Sequence, residues 1–371
     1  MLKQKVKGYL FGRAAKNAWK RYSESFNRHG LKRYLIYERS GYPLDVPVDV
    51  DEELLVQAMR QFATHCHSEF LYDYTRKCYV EPWHGYVITD KFFLIEKSFS
   101  YYLMKEFDQA STTMLWNIWK NSIGRNGGIK RVETVVSLRN ISEGNYWHFY
   151  DDILSKLLII DRLNLGKDVP LLVGPNLWNT RYFQSAIQRG TLKNRNWMLH
   201  TDVIQADRLV FCGKMSLQRE NLEFALEALD FQPKSAIDSA KRIFLNRGKL
   251  RGRYLANLQQ VIPLLTDFGF QVVDTDGLEL QEQMELFSQA RYVIGVHGAG
   301  LLNLIFRRNR ELNLLELFPP DFLHPHYVWL CHAFGYSYDA LIGTKGEDSQ
   351  SFVVDLNKLR KKVTKMLHPT S

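Results

Sequence analysis

The spacing of apolar and polar residues divides the chain into two series in which strand patterns alternate with helix patterns. The first series begins near residue 131 with the strand pattern ETVVSL, and the helix pattern WHFYDDILSKLLIIDRL follows it. The second series begins near residue 242 with RIFLNR, and it contains five strand patterns and five helix patterns. Buried strands that alternate with helices of about 10–15 residues indicate parallel sheets built from βαβ units.

These patterns predict an α/β protein with two Rossmann-like domains and a central cleft. The predicted boundaries are 1–50 for a basic amphipathic N-terminal segment, 51–214 for an N-terminal domain, 215–238 for a helical connector and 239–371 for a C-terminal domain. We also predict helices over 51–65 and 106–122, and a β-hairpin in which GYVIT and FFLIE flank Asp90-Lys91. In such sheets a ligand binds beyond the carboxyl ends of the strands.

The positive charge of the chain is concentrated at its N-terminus. The formal net charge is +9, but residues 1–33 hold ten basic side chains and one acid, which leaves 39 of each sign in the rest. A neutral body argues against a nucleic-acid-binding surface, since such surfaces make a whole domain basic. The basic segment itself predicts an amphipathic helix, which either contacts an anionic membrane surface or packs on its own protein.

The remaining composition indicates a packed protein in a reducing compartment. With 45% hydrophobic and 13% aromatic residues the chain can form a core. Its four cysteines form no CxxC pair, and it has neither an apolar run long enough to span a membrane nor a secretory signal. We therefore expect a cytoplasmic location, at the inner face of the cell membrane if the basic helix binds lipid.

The segment YVIGVHGAGLLN is the sharpest candidate for chemistry. A buried strand leads to His297, and Gly298, Ala299 and Gly300 form a turn into the next helix pattern. Glycine lets a backbone approach a ligand closely, and a helix start offers unpaired N–H groups to an anion. The segment therefore predicts a cradle for a diphosphate, the alternative being a purely structural turn.

Two neighbouring segments carry charges that suit the same ligand. Arg247, Arg251 and Arg253 lie in a glycine-broken loop after the first strand of the second series, and guanidinium groups match phosphate oxygens. Glu316 ends the strand that follows the turn, where its carboxylate needs a partner: a ribose hydroxyl pair or an arginine.

The first series contains a candidate general base. His148 and Asp152 are four residues apart near the start of a helix pattern, so their side chains share one face. A carboxylate beside an imidazole orients the ring and raises its basicity. The alternative is a helix cap with an unrelated surface charge.

Other histidines give weaker signals. A metal site at His65-Cys66-His67 is disfavoured because alternate residues of a helix diverge. The remaining candidates for the border of a cleft, for which packing or capping is the simpler explanation, are His324, His326, His332, His200 and Asp202.

Four blocks in order resemble glycosyltransferase family 61, and together they span about residues 85–340. The most specific are the turn with its upstream Glu282-Gln283 and Leu286-Phe287, followed by the NYWH block. In full, the blocks are Asn145-Tyr146-Trp147-His148 with Asp152; Asn246-Arg247 with Arg251, Arg253 and Asn257; Glu282-Gln283, Leu286-Phe287 and Ala290; and His297-Gly298-Ala299-Gly300-Leu301-Leu302-Asn303 with Glu316.

The resemblance implies a GT-B fold and an inverting transfer from a nucleotide-diphosphate sugar, without a bound metal or other cofactor. A UDP-linked donor is expected, held mainly by the C-terminal domain. The chain looks most like a bacterial member that acts on a glycan or lipid-linked acceptor in capsular or surface polysaccharide biosynthesis. Two departures, Asn246 in place of Ser and Leu258 in place of Glu, concern the identity of the donor more than the type of reaction.

Under this interpretation each candidate residue has a role. His148, oriented by Asp152, deprotonates the acceptor, and Glu316 holds the ribose. Asn303 fixes the turn. The leaving phosphates are stabilised by Arg247, by Arg251 or Arg253, and by the turn residues His297, Gly298, Ala299 and Gly300.

Two alternatives stay open from the sequence. One is an inactive nucleotide- or carbohydrate-binding protein of the same fold. The other, a dinucleotide-dependent oxidoreductase, is disfavoured because neither series opens with a G-x-G-x-x-G fingerprint.

Overall fold

The computed structural model describes residues 31–37, 53, 55–57, 69–90, 95, 116, 129–140, 142–212, 219–232 and 240–368. The chain forms two compact units that divide between residues 217 and 218, with the short stretch around Leu55 belonging to the second unit. The predicted basic helix lies outside the described residues, as do most of the predicted helices at 51–65 and 106–122 and most of FFLIE.

The first unit is built on an eight-stranded sheet with strand order β1-β2-β8-β5-β6-β7, with β3 paired to β8 and β4 to β3. Its strands are β1 (Leu31–Tyr37), β2 (Glu69–Tyr74), β3 (Cys78–Val80), β4 (Val87–Thr89), β5 (Lys130–Ser137), β6 (Leu171–Val173), β7 (Trp197–Leu199) and β8 (Ile204–Cys212). Its helices are α1 (Tyr146–His148), a π-helical turn (Phe149–Leu154), α2 (Ser155–Asp161), α3 (Pro175–Trp178), α4 (Arg181–Ala186) and a 3-10 turn (Leu192–Asn194).

This sheet is mixed, whereas the alternation of patterns predicts a parallel one. The strands β5, β6, β7 and β8 are parallel as expected. However, β1, β2, β3 and β4 pair antiparallel and extend the sheet beyond β8. In the region of the predicted hairpin, the strand Val87–Thr89 pairs with Cys78–Val80. Ile95, which belongs to FFLIE, donates its amide to the Val87 carbonyl.

The second unit contains a five-stranded, fully parallel sheet with strand order β11-β9-β12-β13-β14, and a separate three-stranded sheet formed by β10, β16 and β15. Its strands are β9 (Lys241–Leu245), β10 (Tyr254–Leu255), β11 (Gln271–Val273), β12 (Ala290–Val296), β13 (Asn313–Phe318), β14 (Ser337–Ile342), β15 (Thr344–Lys345) and β16 (Ser351–Val353). Its helices are α5 (Arg219–Ala228), α6 (Leu258–Asp267), α7 (Leu280–Gln289), α8 (His326–Phe334) and α9 (Leu356–Leu367), with 3-10 segments at Lys249–Arg251, Thr275–Gly277 and Ala299–Arg307.

The core of the second unit explains why its strands read as continuous apolar runs. One cluster joins Phe244, Ile294, Leu315 and Leu341, which come from four neighbouring strands, to side chains of α6 and α9. Strands that are covered on both faces are apolar throughout, and the parallel strands of an α/β sheet are of this kind. The predicted α/β class is therefore confirmed, and the buried sheet fixes where its strands end.

Candidate active site

The strand order of the second unit places two loops side by side at one edge of the sheet. The chain passes from β9 to β11 on one side and then returns to β12 on the other side of β9. The loops that follow β9 and β12 therefore leave adjacent strands at their carboxyl ends, where open α/β sheets bind ligands. These loops contain the predicted arginines and the predicted glycine turn.

The turn after β12 brings the backbone close to a guanidinium group. A Cβ atom on Gly298 would lie 2.3 Å from Nη1 of Arg247, so only glycine leaves this space free. The hydroxyl of Tyr327 donates to the Gly298 carbonyl at 2.5 Å. Within the 3-10 helix, the first hydrogen bond is donated by Leu301 to Gly298, so the amides of Ala299 and Gly300 precede it. The turn therefore has the geometry of an anion cradle, although the helix that follows it is 3-10 and not α.

Arg247 and Arg253 are the two cations at this turn. Arg247 donates from Nε to the Gly252 carbonyl at 2.7 Å and from Nη2 to the Arg251 carbonyl at 2.6 Å, which leaves Nη1 beside Gly298. Arg253 lies with its guanidinium 4.3 Å from the centre of the Phe322 ring. Among the described residues neither arginine has a carboxylate partner.

The electrostatics of this pair favour an anion. Burial and the neighbouring charges of Arg253 and Arg251 lower the pKa of Arg247 to about 10, and burial lowers the pKa of Arg253. Both groups remain charged at neutral pH, and two like charges that are half-buried together are stabilised by a negatively charged ligand.

Arg251 does not belong to this pair. Its exposed guanidinium forms a two-point ion pair with Asp276, at 2.9 and 3.1 Å. Of the three predicted contacts between arginine and phosphate, that of Arg251 is the least supported, because Asp276 already compensates its charge.

Glu316 differs from its predicted role. Its side chain is fully buried, Oε1 lies 2.5 Å from Nδ1 of His297, and Oε2 accepts a hydrogen bond from the Tyr338 hydroxyl at 2.8 Å. Both oxygens are thus engaged by protein groups, and a contact with a ribose is not supported by this geometry. From the sequence we expected a ribose hydroxyl pair or an arginine as the partner of the Glu316 carboxylate, whereas the structure shows a histidine.

His297 is enclosed by rings and by charges. Its ring stacks on Phe318 with centroids 4.9 Å apart, and it is buried. Burial, followed by the charges of Arg253 and Arg247, lowers the pKa of its imidazole to about 3. Burial and these two charges therefore favour the neutral form of the imidazole.

Asn303 holds the turn as predicted from the sequence. Its buried amide donates to the Gly300 carbonyl and to Oε1 of Gln283, at 3.0 Å in each case. Gln283 in turn donates to the carbonyls of Thr275 and Leu278. The neighbouring Glu282 caps α7 by accepting from the Glu279 amide at 2.7 Å. The Glu282-Gln283 block thus has a structural explanation.

Sequence reasoning missed the aromatic side chains around the turn. Phe318, Phe322 and Tyr327 all contact His297. Phe318 ends β13, and Phe322 and Tyr327 follow it, so their position at the same carboxyl edge as the turn is the signal that could have identified them.

In the first unit, His148 and Asp152 meet as their spacing predicts. Nδ1 of His148 lies 2.5 Å from Oδ2 of Asp152, and Asn145 caps the helix by accepting from the Trp147 amide. The side chain of His148 is 25% exposed, while that of Asp152 is fully buried, so the imidazole is the accessible member. The π-helical turn begins directly after His148, and such turns occur frequently at functional sites.

The same turn contains a group that could hold a metal ion. His148, Asp151 and Asp152 each offer a ligand atom, and these atoms lie within 4.8 Å of one another. An imidazole with two carboxylates suits a divalent ion with mixed oxygen and nitrogen ligands. The expected independence from metal therefore stays a prediction.

The weaker histidine candidates are scattered. His324 is exposed at the edge of the turn region, where its ring is tilted against Phe322 and stacks on His326. His200 is buried against Arg139, with Nδ1 and Nη1 3.0 Å apart, and burial lowers its pKa to about 3. His332 is exposed on α8. The His65-Cys66-His67 cluster lies outside the described residues.

The second unit is thus an α/β unit with a candidate anion site at its topological switch point, an arrangement common to nucleotide-binding proteins. The model of the family described as Glycosyltransferase 61 matches residues 146–312. This segment runs from the NYWH block to the end of the turn region, and the match supports a glycosyltransferase of that family. No curated protein matches the chain.

Two solved structures of bacterial transferases show distant similarity to this chain. The iron-containing dodecameric glycosyltransferase TibC from enterotoxigenic E. coli H10407 is 13% identical with a TM-score of 0.29, over 51% of this chain and 58% of TibC. The E. coli heptosyltransferase WaaC with ADP is 9% identical with a TM-score of 0.29, over 63% of this chain and 99% of WaaC. Similarity at this level carries no argument about function. Within the described residues, no helix has the length and apolarity that a bilayer span requires.

Proposed function

We propose that this protein is an inverting, metal-independent glycosyltransferase of the GT-B type, which moves a hexosyl or pentosyl group from a nucleotide-diphosphate sugar to a hydroxyl group of a glycan or lipid-linked acceptor. The observation that carries the proposal is the pair of half-buried guanidinium groups, Arg247 and Arg253, which lie beside the Gly298 turn and form no ion pair with a carboxylate in the part of the chain that the structure describes. The family match over residues 146–312 supports the same reaction class.

The anion site accounts for departure of the leaving group. When the bond to the sugar breaks, negative charge develops on the diphosphate, and fixed donors in a partly buried site stabilise that charge strongly. Arg247, Arg253 and the amides of Ala299 and Gly300 provide such donors, and the two arginines take the place of a divalent ion.

The first unit supplies the acceptor chemistry under this proposal. The partly exposed imidazole of His148 takes the proton from the acceptor hydroxyl, and the buried carboxylate of Asp152 orients the ring and stabilises the imidazolium that forms. Direct attack of the acceptor on the sugar, with no covalent intermediate, inverts the configuration at the anomeric carbon.

The remaining parts of the proposal rest on the sequence. We infer a UDP-linked donor, a role in surface polysaccharide biosynthesis, and a cytoplasmic enzyme whose residues 1–33 contact an anionic membrane. This segment lies almost wholly outside the described residues, and its charge is the observation that motivates the last inference.

Replacing His148 tests the proposal most simply. With a panel of nucleotide sugars and a lipid-linked or oligosaccharide acceptor in the presence of a chelator, the wild type should release free nucleoside diphosphate. His148→Ala should lower the rate by about 100-fold or more while donor binding is retained, since general-base catalysis contributes about 10²–10⁴-fold. The exposed His332→Ala is the matched control and should turn over normally.

Two results would contradict this proposal. Binding without any release of nucleoside diphosphate from the wild type would favour the inactive nucleotide- or carbohydrate-binding protein. Unchanged turnover in His148→Ala would remove His148 as the base.

A further inference from the structure

Glu316 and His297 form a hydrogen bond whose proton can belong to either side chain. Glu316 lies on β13 opposite Gly295 of β12, and its carboxyl group is completely buried. Its Oε1 is 2.5 Å from Nδ1 of His297, so one proton must lie between these two atoms. Tyr338 donates to the other oxygen, a bond that is compatible with either form of the carboxyl group.

The surroundings of Glu316 favour the neutral acid. Among the residues that the structure describes, the titratable groups that face it are His297 after β12, Tyr338 on β14, Tyr327 and Cys331 on α8, and the cation Arg253. Arg253 acts only through its charge, because its guanidinium makes no hydrogen bond to the carboxyl group. Burial raises the pKa of Glu316 well above its ordinary value, although Tyr338 and Arg253 act in the opposite direction. An ionised carboxylate without a hydrogen-bonded cation is costly in such a place.

The position of the shared proton decides what the other ring nitrogen can do. If Glu316 donates to Nδ1, the neutral imidazole carries its own proton on Nε2. An Nε2–H group is a hydrogen-bond donor beside Arg247 and Arg253, whose charges both act on this ring. With the opposite tautomer, a bare Nε2 would present a lone pair to phosphate oxygens and weaken the anion site.

We propose that Glu316 is a positioning residue in the form of a protonated carboxylic acid, which donates to Nδ1 of His297 and thereby fixes the tautomer whose Nε2–H donates to the diphosphate of a bound nucleotide. The anionic ligand rests on the proposed function, whereas the tautomer does not. Glu316 itself does not touch the ligand.

A conservative substitution separates the neutral acid from the carboxylate. In Glu316→Gln the amide N–H₂ group can still donate to Nδ1, whereas Glu316→Ala removes the donor. With inorganic pyrophosphate as the probe in calorimetry at pH 7, Glu316→Gln should bind within about threefold of the wild type and Glu316→Ala about tenfold more weakly, the usual effect of one lost hydrogen bond. A Gln variant as weak as the Ala variant would overturn the proposal.

The pH dependence provides a second readout. A carboxyl group with a raised pKa keeps its proton below that pKa and loses it as the pH rises through it. The affinity of the wild type for pyrophosphate, divided by that of Glu316→Gln, should therefore fall with rising pH, because the amide does not titrate. A ratio that rises with pH would mean that the carboxylate is the active form.

The tautomer can be observed without any ligand. In protein labelled with ¹⁵N-histidine, with His297 assigned by comparison with His297→Gln, we expect a protonated Nε2 and a bare Nδ1. Tyr338→Phe should leave this signature unchanged, since loss of its hydrogen bond favours the neutral acid further. A protonated Nδ1 would overturn the proposal. If the wild type failed to bind pyrophosphate, the anion site and the proposed function would fall, while the NMR result would still decide the tautomer.

Discussion

Arg253 combines two features that a purely structural arginine rarely has. Its backbone lies in the left-handed region with φ of 53°, where a non-glycine residue costs about 1–2 kcal/mol. Its guanidinium is half-buried over Phe322 without a carboxylate partner among the described residues. Strained backbone of this kind persists when the surrounding structure holds it, and it is concentrated at functional sites. We interpret the strain as part of presenting this cation to the ligand.

The neighbouring arginines allow a matched comparison at this scale. Arg253→Ala should weaken binding of a nucleoside diphosphate by about 10–100-fold, since a hydrogen bond to a charged group contributes about 1.5–3 kcal/mol. Arg251→Ala removes the same charge from the same loop, but that charge is paired with Asp276. Its effect should stay within about threefold, because exposed ion pairs contribute about 0–1 kcal/mol. Calorimetric titration measures both, and equal losses would contradict the distinction between the two residues.

At the scale of elements, the glycine turn depends on a close approach and not on an unusual backbone. Gly298 is extended, with φ of 171°, so another residue could adopt its conformation. What excludes a side chain is Nη1 of Arg247, 2.3 Å from where a Cβ atom would lie. The displaced group would be the end of a flexible side chain, so the fold can accommodate the change while the site cannot.

This difference predicts a substitution that affects function more than stability. Gly298→Ala should push Arg247 away from the turn and weaken nucleoside diphosphate binding by about tenfold, the value of one charge-assisted hydrogen bond. The melting temperature should change by less than about 4 °C, which corresponds to about 1 kcal/mol in a chain of this size. Gly277→Ala is the control, since a Cβ atom there would meet nothing within 4 Å.

A large fall in the melting temperature of Gly298→Ala, with binding intact in the folded fraction, would show that the glycine is structural. Loss of binding in the Gly277 variant would show that the assay responds to general changes of this region.

The elements that the sequence predicted well are those encoded by local patterns. The strand that leads to His297 and the glycine turn after it follow from an apolar run and the glycines that end it. The contact of His148 with Asp152 follows from their spacing on a helix. In each case the residues involved are close in the sequence.

The contacts that the sequence did not predict depend on long-range register. Glu316 meets His297 because β13 lies beside β12 in parallel register, with Gly295 opposite Glu316. Arg253 meets Phe322 because two loops end at the same edge of the sheet. Likewise, β1 and β2 join the first sheet by pairing with residues far along the chain. No local pattern specifies such pairings, and for this reason the sequence did not predict that His297 and Tyr338 occupy the two oxygens of Glu316.

At the scale of the whole molecule, the two units carry different chemistry. The first holds a partly exposed imidazole on a buried carboxylate, and the second holds two half-buried cations at a topological switch point. Because the excess charge of the chain lies in residues 1–33, the cations of the second unit act locally and do not reflect a generally basic surface. We therefore infer that these cations hold the diphosphate of a sugar donor.

Binding of nucleoside diphosphates by the full chain tests this claim most directly. We expect UDP, or failing that GDP, ADP or CDP, to bind the wild type at least about tenfold more tightly than the corresponding nucleoside, since the diphosphate makes the charge-assisted contacts. Arg247→Ala should reduce this preference to about threefold or less and leave binding of the nucleoside unchanged. If no diphosphate bound better than its nucleoside, or if Arg247→Ala kept the full preference, the account of this site would be wrong.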